Sequence, residues 1–87
     1  MMIEVCKPST AQIRDMSGEP TWEKEVSTFP WRYDMTEICL VLEGEVTVTP
    51  DGGEPVRFGA GDLVTFPKGM TCTWDITKTV RKHYRFL

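Results

Sequence analysis

An all-β fold, a small barrel or sandwich with one short helix near the N-terminus, is what the sequence predicts. Three observations carry that expectation. Short apolar and β-branched runs follow one another from Thr21 to the end of the chain. Turn-forming clusters separate them at Glu43-Gly44, Pro50-Asp51-Gly52-Gly53, Gly59-Ala60-Gly61-Asp62 and Pro67-Lys68-Gly69. Within the runs, polar and apolar residues alternate with period two, as in Val46-Thr47-Val48-Thr49, the signature of a strand with one buried face. Many short strands at regular turn spacing make a sandwich or barrel.

Each element follows from local chemistry. Ile3 to Lys7 reads as a short strand. Pro8-Ser9-Thr10 starts a helix, with Ser9 or Thr10 as N-cap, that runs over Ala11–Met16 and stops at Gly18. Ile13 and Met16 share its apolar face, which is expected to lie across the outside of the barrel. After Pro20, Trp22, Lys24 and Val26 alternate with Thr21, Glu23, Glu25 and Ser27 as a half-exposed strand. Phe29-Pro30-Trp31-Arg32-Tyr33-Asp34 is aromatic and broken by proline, hence an edge or irregular strand. Glu37–Leu42 is a strand, and Gly44 is expected to turn it into Val46–Thr49. Pro50-Asp51-Gly52-Gly53 makes a hairpin turn to a return strand over Pro55–Phe58. Gly61 and Asp62 then open the stretch Leu63-Val64-Thr65-Phe66, which the Pro67-Lys68-Gly69 corner closes. Thr71–Ile76 and Val80–Phe86 are the last strands.

The chain has 87 residues, enough for one domain over residues 1–87 with its barrel at about residues 22–86. A chain of this size buries only about 60–65% of its unfolded surface, so it gains from dimerisation. The apolar Ile38, Leu40 and Leu42, on the face opposite Glu37, are the surface expected to support a homodimer. Net charge is −3 and the pI about 5.0, which argues against a nucleic-acid partner. No apolar stretch reaches the length of a membrane span, and the N-terminus lacks the blocks of a secretory signal. Three cysteines without CxxC spacing indicate neither a disulfide framework nor a zinc ribbon. A reducing, cytoplasmic setting is the expectation, with organelle import left open.

Two segments carry a more specific likeness. Glu37 to Gly44 has the form E-x3-V-L-E-G, and Gly61, Pro67, Gly69 and position 72 have the spacing G-x5-P-x-G-x2-H. Together these resemble the paired motifs of the cupin superfamily, small jelly-roll barrels (double-stranded β-helices). Trp22-Glu23-Lys24-Glu25-Val26, Leu42-Glu43-Gly44, Asp62–Gly69 and Val80-Arg81-Lys82-His83-Tyr84 resemble, more narrowly, the small single-domain cupins grouped with the ureidoglycine aminohydrolase type, RmlC-like proteins generally without an assigned activity. In metal-binding cupins, His-x-His and Glu come from the first motif and one more His from the second. Here the His-x-His slots fall on Trp31 and Tyr33 (Pro30 and Arg32 in the alternative spacing), and the last slot falls on Cys72. Only Glu37 is retained. The sole histidine, His83, lies outside both motifs. The resemblance therefore implies no His-ligated metal and no resident cofactor, and it excludes the manganese chemistry of the full-length aminohydrolase.

If the likeness holds, Glu37 and Cys72 point into the barrel, and Cys39 shares the face of Glu37. The lumen then holds Trp31, Tyr33, Glu37, Cys39, Cys72 and Trp74. Three readings stay open. The cysteines and aromatics fill a core, with Glu37 paired to a Lys or Arg. Alternatively, the same residues line a pocket for a small polar or anionic metabolite. The third reading is a Cys39/Cys72/Glu37 metal or thiol-redox site. Lys82, if inward, either neutralises Glu37 or helps hold an anionic ligand, while Arg81, His83 and Arg85 form a solvated face. Binding in the barrel mouth ranks first, an enzyme with Glu37 as general base and Tyr33 or Cys72 as partner second, and a structural or interaction role third.

Overall fold

Two long strands organise the chain. The structure, a computed structural model, describes residues 2–87. Its elements are β1 (Glu4–Cys6), α1 (Thr10–Met16), β2 (Thr21–Lys24), β3 (Ser27–Arg32), β4 (Glu37–Pro50), β5 (Val56–Gly59), β6 (Leu63–Phe66) and β7 (Thr71–Phe86). The seven strands pair antiparallel in the order β1-β6-β4-β7-β2, with β3 added to β7 and β5 to β4. This is the mostly-β antiparallel roll that the sequence predicts.

Gly44 does not end a strand, contrary to the sequence reading. β4 runs straight through it, as β7 runs through Thr77–Thr79, and the β4–β7 register slips between Val41 and Val46. The slip is a bulge that changes the side-chain phase. Glu37, Cys39 and Val41 point inward before it, Val46 and Val48 after it. The first half of β4 pairs with β6 and the end of β7, the second half with β5 and the start of β7. Side chains from both halves meet in one core with Phe58, Val64, Phe66, Trp74, Ile76 and Val80. A bent strand pair thus closes on itself and buries one continuous apolar face.

Helix α1 begins where its chemistry puts it. Ser9 accepts from the Gln12 backbone N–H at 3.1 Å, and the Gln12 side chain accepts from the Ser9 N–H at 2.8 Å, a capping box. Only half of the predicted apolar face is used. Met16 is buried against Leu40 and Leu63, whereas Ile13 is 44% exposed. Arg85 holds the helix from β7 through Asp15 at 2.8 Å and Glu19 at 3.5 Å. The Arg85 hydrogen bond and charge hold the Asp15 carboxyl below its usual range.

The helix has a consequence for the face expected to dimerise. Leu40 is buried beneath Met16, and Ile38 and Leu42 are half-buried beside them. That apolar surface is partly covered within the chain. The half-exposed strand expected to reach Val26 also ends early, at Lys24, leaving Val26 exposed.

Candidate functional site

The mouth of the roll is built by β2, β3 and β7 lying side by side. Trp22 is opposite Lys82, Phe29 opposite Trp74, and Trp31 opposite Cys72. Strand alternation sends Trp22, Lys24, Phe29, Trp74 and Lys82 to the inner face. Glu37, at the start of β4, completes the floor. The two motif regions meet at Tyr33: its N–H donates to the Met70 carbonyl at 2.9 Å, and its own carbonyl accepts from the Gly69 N–H at 2.6 Å. Gly69 has φ +87°, a backbone that the Pro-x-Gly corner can adopt because position 69 lacks a Cβ.

These walls enclose a cavity of about 540 Å³. That lies within the size range of small-molecule sites. All three tryptophans of the chain, Trp22, Trp31 and Trp74, line it. A second concavity of about 650 Å³ is framed by the Pro50–Glu54 turn and the Gly69–Thr71 segment, without convergent charged groups of both signs. The first carries the chemistry.

At its floor the Lys82 ammonium donates to a Glu37 carboxylate oxygen at 2.5 Å. Both side chains are only 6% exposed. The ammonium sits 4.8 Å from the Trp74 ring centre, 4.9 Å from that of Trp22 and 5.8 Å from that of Phe66. The charge lies over the faces of these rings, where their π-electron density attracts it, in a place water barely reaches. The neutralisation of Glu37 by Lys82, one of the alternatives in the sequence, is what the fold contains. Lys24, half-buried at the same mouth, lies 5.2 Å from the Phe29 ring and pairs with no carboxylate among the described residues.

Tyr33 is buried and stacks on Phe66 at 4.8 Å. Its hydroxyl oxygen accepts from the Trp74 indole N–H at 3.1 Å. Burial, and then the charge of Glu37, push the Tyr33 phenol well above its usual range. Tyr33 therefore stays protonated and can donate its own proton into the cavity.

The two inner cysteines behave differently from the expected lumen residues. Cys39 and Cys72 are fully buried in the core, and neither is among the residues that line the cavity. The Cys72 thiol is turned toward the Trp31 carbonyl at 3.6 Å. Burial pushes Cys39 up to about 12 and Cys72 up to about 11. Both are neutral core thiols, not nucleophiles. Trp31, at 48% exposure, is a rim residue; the sequence does not single out Trp22, Lys24, Phe29, Pro30 or Phe86, whereas Tyr84 lines the cavity on the same face as Lys82. Their alternation with Lys82 and Trp74 was the available signal. A half-exposed strand over Thr21–Ser27 does not by itself reveal it.

Two consequences are measurable. Cys6, which is exposed, should be the one thiol that a bulky disulfide reagent titrates in the folded chain, with Cys39 and Cys72 reacting only after denaturation. The raised thiols also bind protons more tightly folded than unfolded. The stability this confers is whole below about pH 9 and is lost as pH rises toward 11–12. Melting curves should show Tm falling above pH 9, and a Tm that holds steady to pH 11 would contradict the burial.

The slots that the resemblance to metal-binding cupins assigns to histidines are filled by an exposed tryptophan, a buried phenol and a buried thiol, and Glu37 is engaged by Lys82. This donor set lacks the imidazoles through which the resemblance would hold a divalent ion. Among the described residues, Glu37, Cys39 and Cys72 form no grouping able to hold a metal. His83 lies elsewhere, its Nδ1 2.8 Å from the Glu19 carbonyl oxygen.

Residues 13–84 match the family of EutQ-like cupin domains. The chain belongs to that family. A DUF861 family protein from Thermotoga maritima, known from its crystal structure, is 43% identical, with a TM-score of 0.95 over 99% of this chain and 100% of that one. The Clostridium difficile EutQ protein is 27% identical, with a TM-score of 0.69 over 76% of this EutQ-like cupin and 52% of that chain. Acetate kinase EutQ of Escherichia coli (strain K12) is 35% identical over 68 residues, 78% of this chain. This EutQ-like cupin spans 28% of the length of that relative. No helix among its described residues is long and apolar enough to cross a membrane.

Proposed function

We propose that the barrel mouth binds a small organic molecule with a flat, unsaturated body and one anionic group, without a histidine-held metal. The observation that carries this reading is the cavity into which three indoles and the unpaired Lys24 converge. Flat rings offer their faces to a planar ligand at little entropic cost, and Lys24 supplies the cation for its charge. The Tyr33 hydroxyl adds one directed donor. The polar or anionic metabolite expected from the sequence is thereby narrowed to one with an aromatic or conjugated body.

A second reading is an enzyme in which Glu37 moves a proton, with Tyr33 as partner. It is favoured by the two groups lining one cavity. Cys72, the other candidate partner, lies behind the wall. Kinship with the ureidoglycine aminohydrolase type belongs to the same tier, supported by the segments quoted above. The kinase activity named for the Escherichia coli relative gains little support, because Lys82 is already neutralised and Lys24 alone would face a phosphate. A homodimer, with Trp31, Met35, Phe86 and Leu87 as its exposed apolar residues, and a cytoplasmic setting complete the reading.

Thermal-shift screening against aromatic and conjugated carboxylates tests it. A ligand at a hundredfold its Kd stabilises by about 2.7 kcal/mol. In a domain of this size that raises Tm by roughly 10 °C or more. Lys24→Ala should remove the preference for acids over their neutral amides while leaving unliganded stability within about 0.5 kcal/mol. A broad panel without a single carboxylate-bearing stabiliser would refute the proposal.

A further inference from the structure

Lys82 is unlike the other lysines. Lys7, Lys68 and Lys78 are exposed and Lys24 is half-exposed, but Lys82 is 5% exposed and faces an apolar cavity. A structural ion pair needs only to be enclosed. This one is enclosed on the protein side by Trp22, Phe66 and Trp74 and still lines the space a ligand would fill. An amine held out of water beside a proton acceptor is the arrangement with which lysine attacks carbonyl carbon.

We infer that Lys82 condenses with an aldehyde or ketone group of the ligand to form an iminium, with Glu37 carrying the proton. This deepens the binding reading above and rests on it. The Lys82 ammonium first passes a proton to the Glu37 carboxylate across their hydrogen bond. The amine lone pair then forms the N–C bond while the carbonyl π pair moves to oxygen. The nitrogen's surplus proton passes to that oxygen, giving a neutral carbinolamine. Glu37 returns its proton to the hydroxyl group, which leaves as water as the nitrogen lone pair closes the C=N bond. No oxidant or reductant is consumed. The product is a cation, so a positive charge stays opposite Glu37 and within the ring of aromatics, and the buried pair is never left half-charged. The flat carbonyl-bearing body of the ligand lies against Trp22 and Trp74, and an acidic group on its far side reaches Lys24.

The probe is 4-carboxybenzaldehyde, with 4-(hydroxymethyl)benzoate as a control that has the same shape and charge but cannot condense. The intact chain is incubated with each, treated with borohydride, and read by whole-protein mass and peptide mapping alongside Tm. The inference expects one adduct per chain, at Lys82, forming about tenfold or more faster than at Lys7, Lys24, Lys68 or Lys78. Glu37→Gln should slow it about a hundredfold. Lys82→Arg keeps a cation beside Glu37, cannot condense, and should lose the adduct while staying folded. Aldehyde and alcohol raising Tm alike, with label only on surface lysines, would overturn the condensation and leave the binding reading standing. Neither compound raising Tm and no label at Lys82 would overturn both for this ligand class.

Discussion

Lys82→Met, made alone, is expected to destabilise the chain by about 3–5 kcal/mol, because it leaves the Glu37 carboxylate buried with no cation beside it. In a domain of this size that is a fall in Tm of roughly 15 °C or more. The cause is desolvation: Glu37 is 6% exposed, and among the described residues Lys82 is the one cation paired with it. Lost packing is small by comparison, since methionine retains most of the aliphatic stem. The double change Glu37→Leu with Lys82→Met removes both charges and should recover most of the loss. Urea unfolding of the two single variants and the double variant gives the coupling. A single variant within about 1 kcal/mol of the parent would mean that water reaches the pair, and the floor of the cavity would need redrawing.

Gly44→Ala is the second large effect. Gly44 has φ +102°, and a Cβ there would lie 2.4 Å from the Thr79 carbonyl oxygen, 2.7 Å from Val80 Cα and 2.8 Å from the Lys78 carbonyl oxygen. All three obstructions are backbone, so no side chain can swing aside. Strain of about 1–3 kcal/mol from the positive φ adds to about 1–3 kcal/mol from the overlap. The bulge would open where β4 crosses β7, and the phase change that keeps both Val41 and Val46 inward would be lost. Gly52→Ala is the control, with positive φ but open space around its Cβ position. Its cost should be the smaller by roughly 1–3 kcal/mol, and equal losses would show that crowding at the bulge is not the cause.

Local chemistry made most of the strands legible. Asp62, a turn residue by its type, closes its turn with its side chain, accepting from the Gly59 N–H at 2.9 Å and from Lys7 at 2.7 Å. Burial opposes its ionisation, but those two donors outweigh it and hold the carboxyl below its usual range. What was not legible is how strands continue. Glycine ordinarily signals a turn, and only the approach of Thr79 and Val80 from a strand far along the chain shows that Gly44 is a bulge. The pairing of Glu37 with Lys82 was visible as one alternative because alternation puts both inward. The exclusion of Cys39 and Cys72 from the cavity was not, because inward-facing residues can face a core or a void, and that depends on the size of their neighbours. Phe66 and Tyr33, stacked at 4.8 Å, belong to the same packed core as the two thiols. Trp22, Lys24 and Phe29 belong to the cavity because β2 and β3 both pair with β7, a pairing between segments some fifty residues apart that periodicity alone does not reveal.

The aromatic mouth of this EutQ-like cupin is proposed to receive a small ligand. Because all three tryptophans line that cavity, their indole N–H resonances in a two-dimensional proton–nitrogen spectrum report on it directly. Titration with 4-(hydroxymethyl)benzoate and related aromatic acids should move the signals of Trp22, Trp31 and Trp74 together, saturably, while the amides of Asp51, Gly52 and Gly53 stay still. Indoles that do not move with any such compound, or shifts confined to the Pro50–Glu54 turn, would contradict it.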